Sequence, residues 1–202
     1  MPDATLILIR HAAHGLLGRV LAGRLPGVAL NEAGQAQAAA LADTLTDTPV
    51  RAVWTSPLQR AIETAAPIAA RLGIVPIIEP GLNEIDFGDW TGQRFDALES
   101  PEWAAWNTGR AMATPPNGEA MLTAQARAVD AMRRAASIGG TVVLISHQDV
   151  LKAMLANVLG ISLDRLHRFD LDPASRSTVG IGPGWACVQS MNVTPDRCAP
   201  AG

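Results

Sequence analysis

The residues of this 202-residue chain best suited to chemistry stand directly after its short apolar runs. The run at 6–9 is followed by Arg10 and His11, with His14 three positions on. The run at 52–55 is followed by Arg60, and the run ending in "VVLIS" by His147. Two guanidinium forks and two imidazoles are what a buried anion needs, since arginine offers paired N–H donors and nearby helix N-termini add backbone amides. The anion implied is a phosphate group. A neutral imidazole is also a nucleophile toward phosphorus when a partner holds the proton on its other nitrogen. The arginines and the second histidine would then stabilise charge on the transferring oxygens. A departing alkoxide calls for a carboxylic acid, and "LNEIDFGDW" supplies Glu84, Asp86 and Asp89. No metal motif is required.

These groups converge only if the elements carrying them line up. The runs at 6–9, 52–55 and in "TVVLIS" read as short buried strands, and "VPIIEP" as a third strand between them. "NEAGQAQAAALADTL" predicts a helix capped by Asn31. "SPLQRAIETAAPIAARLG" predicts a second, with Ser56 as cap, Pro57 at its first position, Gly73 as its stop and Pro67 kinking or interrupting it. "AMLTAQARAVDAMRRAAS" and "QDVLKAMLANVLG" predict two more. "STVGIG" and "WACVQSMNV" read as a closing pair of strands, a hairpin at a sheet edge. Strands alternating with helices imply an α/β fold, a three-layer αβα sandwich with a mostly parallel central sheet. In such sheets ligands sit beyond the carboxyl ends of the strands. One domain over 1–194 is expected, with an insertion at about 93–119 and a frayed tail over 195–202.

Four segments carry a resemblance. "LIRHAAH", "TSPLQRAIETA", "LNEIDFGDWTG" and "LISHQDVLKAML", in that order, resemble the histidine phosphatase superfamily, also called phosphoglycerate mutase-like, and within it the small bacterial phosphatases. "AGRLPGVALNEAGQAQA" is similar to the segment before the first helix in bacterial members. The resemblance implies a metal-independent phosphoric monoester hydrolase that needs no cofactor. It implies His11 as a nucleophile passing through a phosphohistidine, with Arg10, Arg60 and His147 clamping the phosphoryl oxygens. Glu84 would protonate the leaving group and then activate water.

The chain departs from the family pattern where Ala12, Ala13 and His14 follow the first histidine, at Leu17, at Thr91 and at Gln148 after the second. These positions lie where mutases of the family hold phosphoglycerate, so the losses, with a short insertion, favour a phosphatase over mutase-type phosphoryl transfer. His14, Arg24 and Gln148 are the candidate substrate contacts. His14 reads more simply as a cleft-lining or packing residue, Arg24 equally as a solvated loop arginine, and Asp86 stays an alternative acid. His167 with Arg165 and Arg168 reads as a surface feature. Trp103 and Trp106, three apart, share one helical face, and Asp149 most simply starts the helix after His147.

Composition sets the remaining bounds. A net charge of −3 offers no basic field for nucleic acid or anionic membrane. No apolar stretch reaches a transmembrane length and the N-terminus lacks a signal-peptide pattern, so a cytoplasmic location is expected. Cys187 and Cys198 have no metal-type spacing and read as a buried thiol and a tail thiol. The partner expected is a small phosphorylated substrate, whether sugar phosphate, nucleoside-like phosphate or phosphoprotein, and a homodimer is left open. Two other classes stand beside the phosphatase. One is a metallohydrolase using His11, His14, His147 and a carboxylate, which the arginines oppose. The other is a non-catalytic phosphate-binding relative. No GxxxxGK[ST] loop is present, which argues against a nucleotide-driven enzyme.

Overall fold

The computed structural model describes residues 3–195. Six strands form one sheet: β1 (Ala4–Arg10), β2 (Val50–Thr55), β3 (Ile77–Ile78), β4 (Gly140–Ser146), β5 (Arg176–Gly182) and β6 (Trp185–Val193). Their order is β3-β2-β4-β1-β5-β6. The first four are parallel neighbours, and β5 and β6 add antiparallel pairings at one edge. Helices cover both faces: α1 (Glu32–Thr44) and α2 (Gln59–Leu72) on one, α4 (Met121–Ala136) and α5 (Gln148–Leu159) on the other. A short helix, α3 (Pro101–Thr108), lies in the segment between β3 and α4.

The two-residue period of the strands divides the core. Ile7 and Ile9 of β1 pack with α1 and α2, whereas Leu6 and Leu8 pack with α4 and α5. β4 alternates likewise, Val143 and Ile145 on one side, Val142 and Leu144 on the other. Burial on both faces explains why these strands read as continuous apolar runs. Register aligns Arg10 with Ser146 and Thr55 with Ile145, so β1, β2 and β4 end side by side.

The structure differs from the sequence expectation at several points. α2 begins at Gln59 with Leu58 as its cap, not at Ser56 and Pro57. The Ser56 amide still donates to Ile145 O of β4 at 2.9 Å, so the chain remains extended there and cannot begin a helix. Pro67 does not interrupt α2: one lost backbone bond is outweighed by a buried stripe of Ala61, Thr64, Ala65, Ile68 and Ala69. β3 shrinks to two exposed residues, because it has one neighbouring strand and prolines at 76 and 80 on either side. Cys187 is exposed rather than buried, since β6 is the edge strand. Within the segment expected as an insertion at 93–119, Trp106 is fully buried and its ring meets Phe87 and Trp90 edge-on. Cys198 and nearly all of the expected tail lie outside the described residues. Among those described, no helix is long and apolar enough to cross a membrane.

Candidate active site

The parallel strand ends deliver Arg10, His11, Ser56 and His147 to one edge of the sheet. The backbone completes the register there, His11 N donating to Ser146 O at 2.9 Å. The turn after His11 is held by side chains: Ala12 N donates to Thr64 Oγ1 at 3.0 Å, and Ala13 N to Gln37 Oε1 at 3.0 Å. α1 presses against the same turn, so closely that a Cβ on Gly34 would stand 2.0 Å from Ala13 O.

This turn sets the protonation pattern of His11. Its Nδ1 lies 2.8 Å from Ala12 O. A carbonyl only accepts, so Nδ1 carries the proton and Nε2 the lone pair. Arg60 Nε approaches that Nε2 at 3.3 Å as a donor. Burial and then the Arg60 charge keep the His11 pKa well below the ordinary imidazole value. The site thus contains a neutral imidazole with a lone pair aimed at a cation-lined space.

His147 is resolved in the same way. Arg60 Nη2 donates to its Nδ1 at 3.1 Å, which leaves Nε2–H to donate to Ser56 Oγ at 2.7 Å. Burial and Arg60 hold this imidazole neutral too. Arg60 is itself buried, and its Nη2 also donates to Gly23 O at 2.7 Å. Gly23 has φ +47, a conformation that suits glycine and turns its carbonyl onto the guanidinium. Arg10 Nη1 donates to Leu171 O at 2.5 Å. Arg10 Nε and Arg60 Nη1 are buried donors with no protein acceptor among the described residues. Buried cationic N–H groups cost free energy unless an acceptor meets them, and phosphoryl oxygens are such acceptors.

Glu84 faces the histidines, its Oε2 lying 3.8 Å from His147 Nδ1. Burial, reinforced by the charge of Asp149, pushes its pKa up to about 7. A carboxyl so placed gives or takes a proton near neutrality. Its loop is tied down from outside the cavity. Arg127 Nη1 donates to Gly81 O and Asn83 O at 2.9 and 2.7 Å, and Arg127 Nη2 to Glu84 O at 3.1 Å. Arg24 Nε also donates to Glu84 O, at 2.8 Å, and Glu119 bridges the two arginines.

The cavity has a volume of about 450 Å³. Of the sequence-selected residues, Arg10, His11, His14, Arg60, Glu84 and Gln148 line it. His147 sits directly behind, its ring centroid 5.1 Å from that of His11. Arg24 is not in the lining and is occupied by Glu84 O, Asp86 and Glu119, so it braces the loop instead of facing the cavity. Asp86 pairs with Arg24, away from the histidines. His14 is buried 5.3 Å from His11, accepts from Leu16 N through Nδ1, and is held neutral with a pKa of about 4, by burial and then the Arg60 and Arg10 charges. Gln148 donates to Asp170. Arg165, His167 and Arg168 are exposed on a short 3-10 turn. Among the described residues no group of three or more His, Cys, Asp or Glu side chains is placed to hold a metal ion.

A model of the histidine phosphatase superfamily (branch 1) matches residues 6–194. The chain belongs to that superfamily. This histidine phosphatase superfamily member is 30% identical over 193 residues to the adenosylcobalamin/alpha-ribazole phosphatase of Salmonella typhimurium, covering 93% of this chain and 95% of that protein. It is 41% identical over 155 residues to an uncharacterized protein of Mycobacterium tuberculosis, covering 73% and 75% respectively. Among solved structures, Bacillus stearothermophilus YhfR superposes with a TM-score of 0.88 at 27% identity, covering 95% of this chain and 98% of that one. The alpha-ribazole phosphatase from Shigella flexneri gives 0.84 at 27%, covering 94% and 96%. The two of these relatives whose names state an activity are phosphatases, and the fold is the phosphoglycerate mutase-like α/β fold.

The supports of the site carry weaker signals in the sequence. Thr64 has one, since four residues after Arg60 on a helix places both on one face. Arg127 and Glu119 give no local signal, because they act on residues 81–84 from a distant helix and its approach.

Proposed function

We propose that this protein hydrolyses phosphate monoesters through a phosphohistidine on His11. The observation that carries the reading is the Ala12 carbonyl on His11 Nδ1, which leaves the unprotonated Nε2 facing the cavity beside buried Arg60 and half-buried Arg10. Arg10 and Arg60 hold the phosphoryl oxygens, and His147, with Nδ1 accepting from Arg60 and Nε2–H given to Ser56, fixes the Arg60 fork. The Nε2 lone pair forms a bond to phosphorus as the ester P–O bond breaks, and the departing oxygen takes the Glu84 proton. In the second half the Glu84 carboxylate takes a proton from water. That water oxygen bonds to phosphorus, the N–P bond breaks, and inorganic phosphate leaves with the Nε2 lone pair restored. A pKa of about 7 suits Glu84 to both half-reactions. No step calls on a metal.

The test is acid-quench and alkali-quench trapping with a 32P-labelled monoester, in EDTA. Wild type should acquire an alkali-stable, acid-labile label that is missing from His11→Ala, which should also lose turnover. Hydrolysis that persists in His11→Ala, or that stops in EDTA, would refute the reading. Transfer of the label to a second acceptor with little release of inorganic phosphate would point to a mutase.

A further inference from the structure

The cavity has two unlike parts. Its floor holds Arg10, His11, Arg60 and Glu84, and one wall is apolar: Leu17, Val20, Leu21, Phe95 and Trp103. These wall residues are half-buried or partly exposed, so their faces are open to a ligand. The wall is also fixed in place. Trp103 meets Trp90 edge-on, ring centroids 5.2 Å apart, and Phe95 stands 6.3 Å from Trp103. A preset aromatic surface binds a flat apolar group without ordering cost.

The lining also carries two cations, but each has a partner. Arg110 pairs with Asp149 at 2.6 Å and Lys152 with Asp170 at 3.0 Å. Arg110 also lies over the Trp106 ring, at 5.3 Å. A second anion on a substrate would meet Asp149 and Asp170 as well as the cations; beside Arg110 Nη1, which Asp149 holds, the other buried donor there without an acceptor is the neutral Trp106 Nε1–H. Selection against such substrates is therefore built into the lining.

We infer that the site takes phosphate monoesters whose leaving group is uncharged and presents a flat apolar face, and discriminates against those carrying a carboxylate or second phosphate. The inference rests on the phosphomonoesterase reading. It is separable from it, because leaving-group preference is read only among esters that turn over.

The test compares alkyl phosphates, so that alkoxide reactivity does not dominate: 2-phenylethyl phosphate, ethyl phosphate and 3-phosphoglycerate. The expected kcat/KM for 2-phenylethyl phosphate is about tenfold or more above each of the others, the scale set by burying one aromatic face. Trp103→Ala and the milder Phe95→Ala should lower the phenylethyl-to-ethyl ratio several-fold. Asp170→Asn, which frees Lys152, should raise the 3-phosphoglycerate-to-ethyl ratio. Equal or better turnover of 3-phosphoglycerate by wild type, or ratios unmoved in both wall variants, would overturn the inference. Failure of all three esters together with absence of the His11 label would instead overturn the phosphomonoesterase reading.

Discussion

Replacing Glu84 by Gln should make the protein more stable and nearly inactive, with the stability gain confined to neutral and alkaline pH. The Glu84 pKa lies at about 7 against an ordinary 4.5, chiefly through burial. A raised acid pKa means the folded state holds the proton longer than the unfolded chain does. Below pH 4.5 both states are protonated and the carboxyl has no effect. Between 4.5 and about 7 the unfolded chain ionises and the folded site does not, so stability falls as pH rises. At 1.36 kcal/mol per pH unit, the full penalty is about 3 kcal/mol and is reached by about pH 8. Gln carries no charge, and its Oε1 can accept from Ile85 N as Glu84 Oε1 does at 2.9 Å. Urea unfolding of wild type and Glu84→Gln at pH 5 and pH 8 measures the difference. The expected gain is under about 1 kcal/mol at pH 5 and about 3 at pH 8. The histidines are common to both proteins, so their own titration cancels. kcat/KM should fall on the order of 10²-fold or more, and the alkaline limb near pH 7 in wild type should vanish. A stability difference equal at the two pH values would show that Glu84 is not a buried carboxyl of raised pKa.

Three further outcomes follow from the supports. Gly34→Ala, a change that ordinarily favours a helix by about 1 kcal/mol, should instead destabilise by more than about 2 kcal/mol, since its Cβ would lie 2.0 Å from Ala13 O. Thermal unfolding reads the sign. Arg127→Ala strips donors from Gly81 O, Asn83 O and Glu84 O. It should lower stability by about 2–3 kcal/mol and reduce kcat more than it raises KM, because the loop it releases presents the proton donor. Ser56→Ala leaves His147 Nε2–H without its acceptor and should cost about 1–3 kcal/mol in denaturant titration. Product inhibition by inorganic phosphate should weaken with it, as Arg60 loses its fixed neighbour.

Layers and strand ends were legible because burial on two faces writes itself as apolar runs such as "LILI" and "VVLIS". The functional residues follow those runs without a gap, so register alone brings Arg10, His11 and His147 together. Boundaries were less legible. Ser56 and Pro57 have the types of a helix start, yet pairing with Ile145 holds the chain extended. The loop position of Arg24 suggests a cavity residue, and only the tertiary placement of Asp86 and Glu119 shows where its guanidinium goes. Cys187 has the composition of a core residue, but its burial depends on which strand is last in the sheet. The Trp103 and Trp106 pair illustrates both sides. Their spacing gives a common helical face, and both reach the cavity, while only packing reveals that Trp106 is fully buried and Trp103 half-buried.

The contact between His11 Nδ1 and Ala12 O uses the main chain. A carbonyl oxygen is present whichever residue occupies position 12, so no single codon change removes it. Where a side-chain carboxylate orients a reactive histidine, one substitution severs the pair; here that half of the site is beyond the reach of point mutation. Inheritance can act on it only indirectly, through Thr64, Gln37 and Gly34, which decide where the Ala12 and Ala13 peptides lie. Variants that drift in sequence after the Arg–His pair, as "AAH" does, can therefore keep the tautomer intact, leaving the following side chains free to diversify.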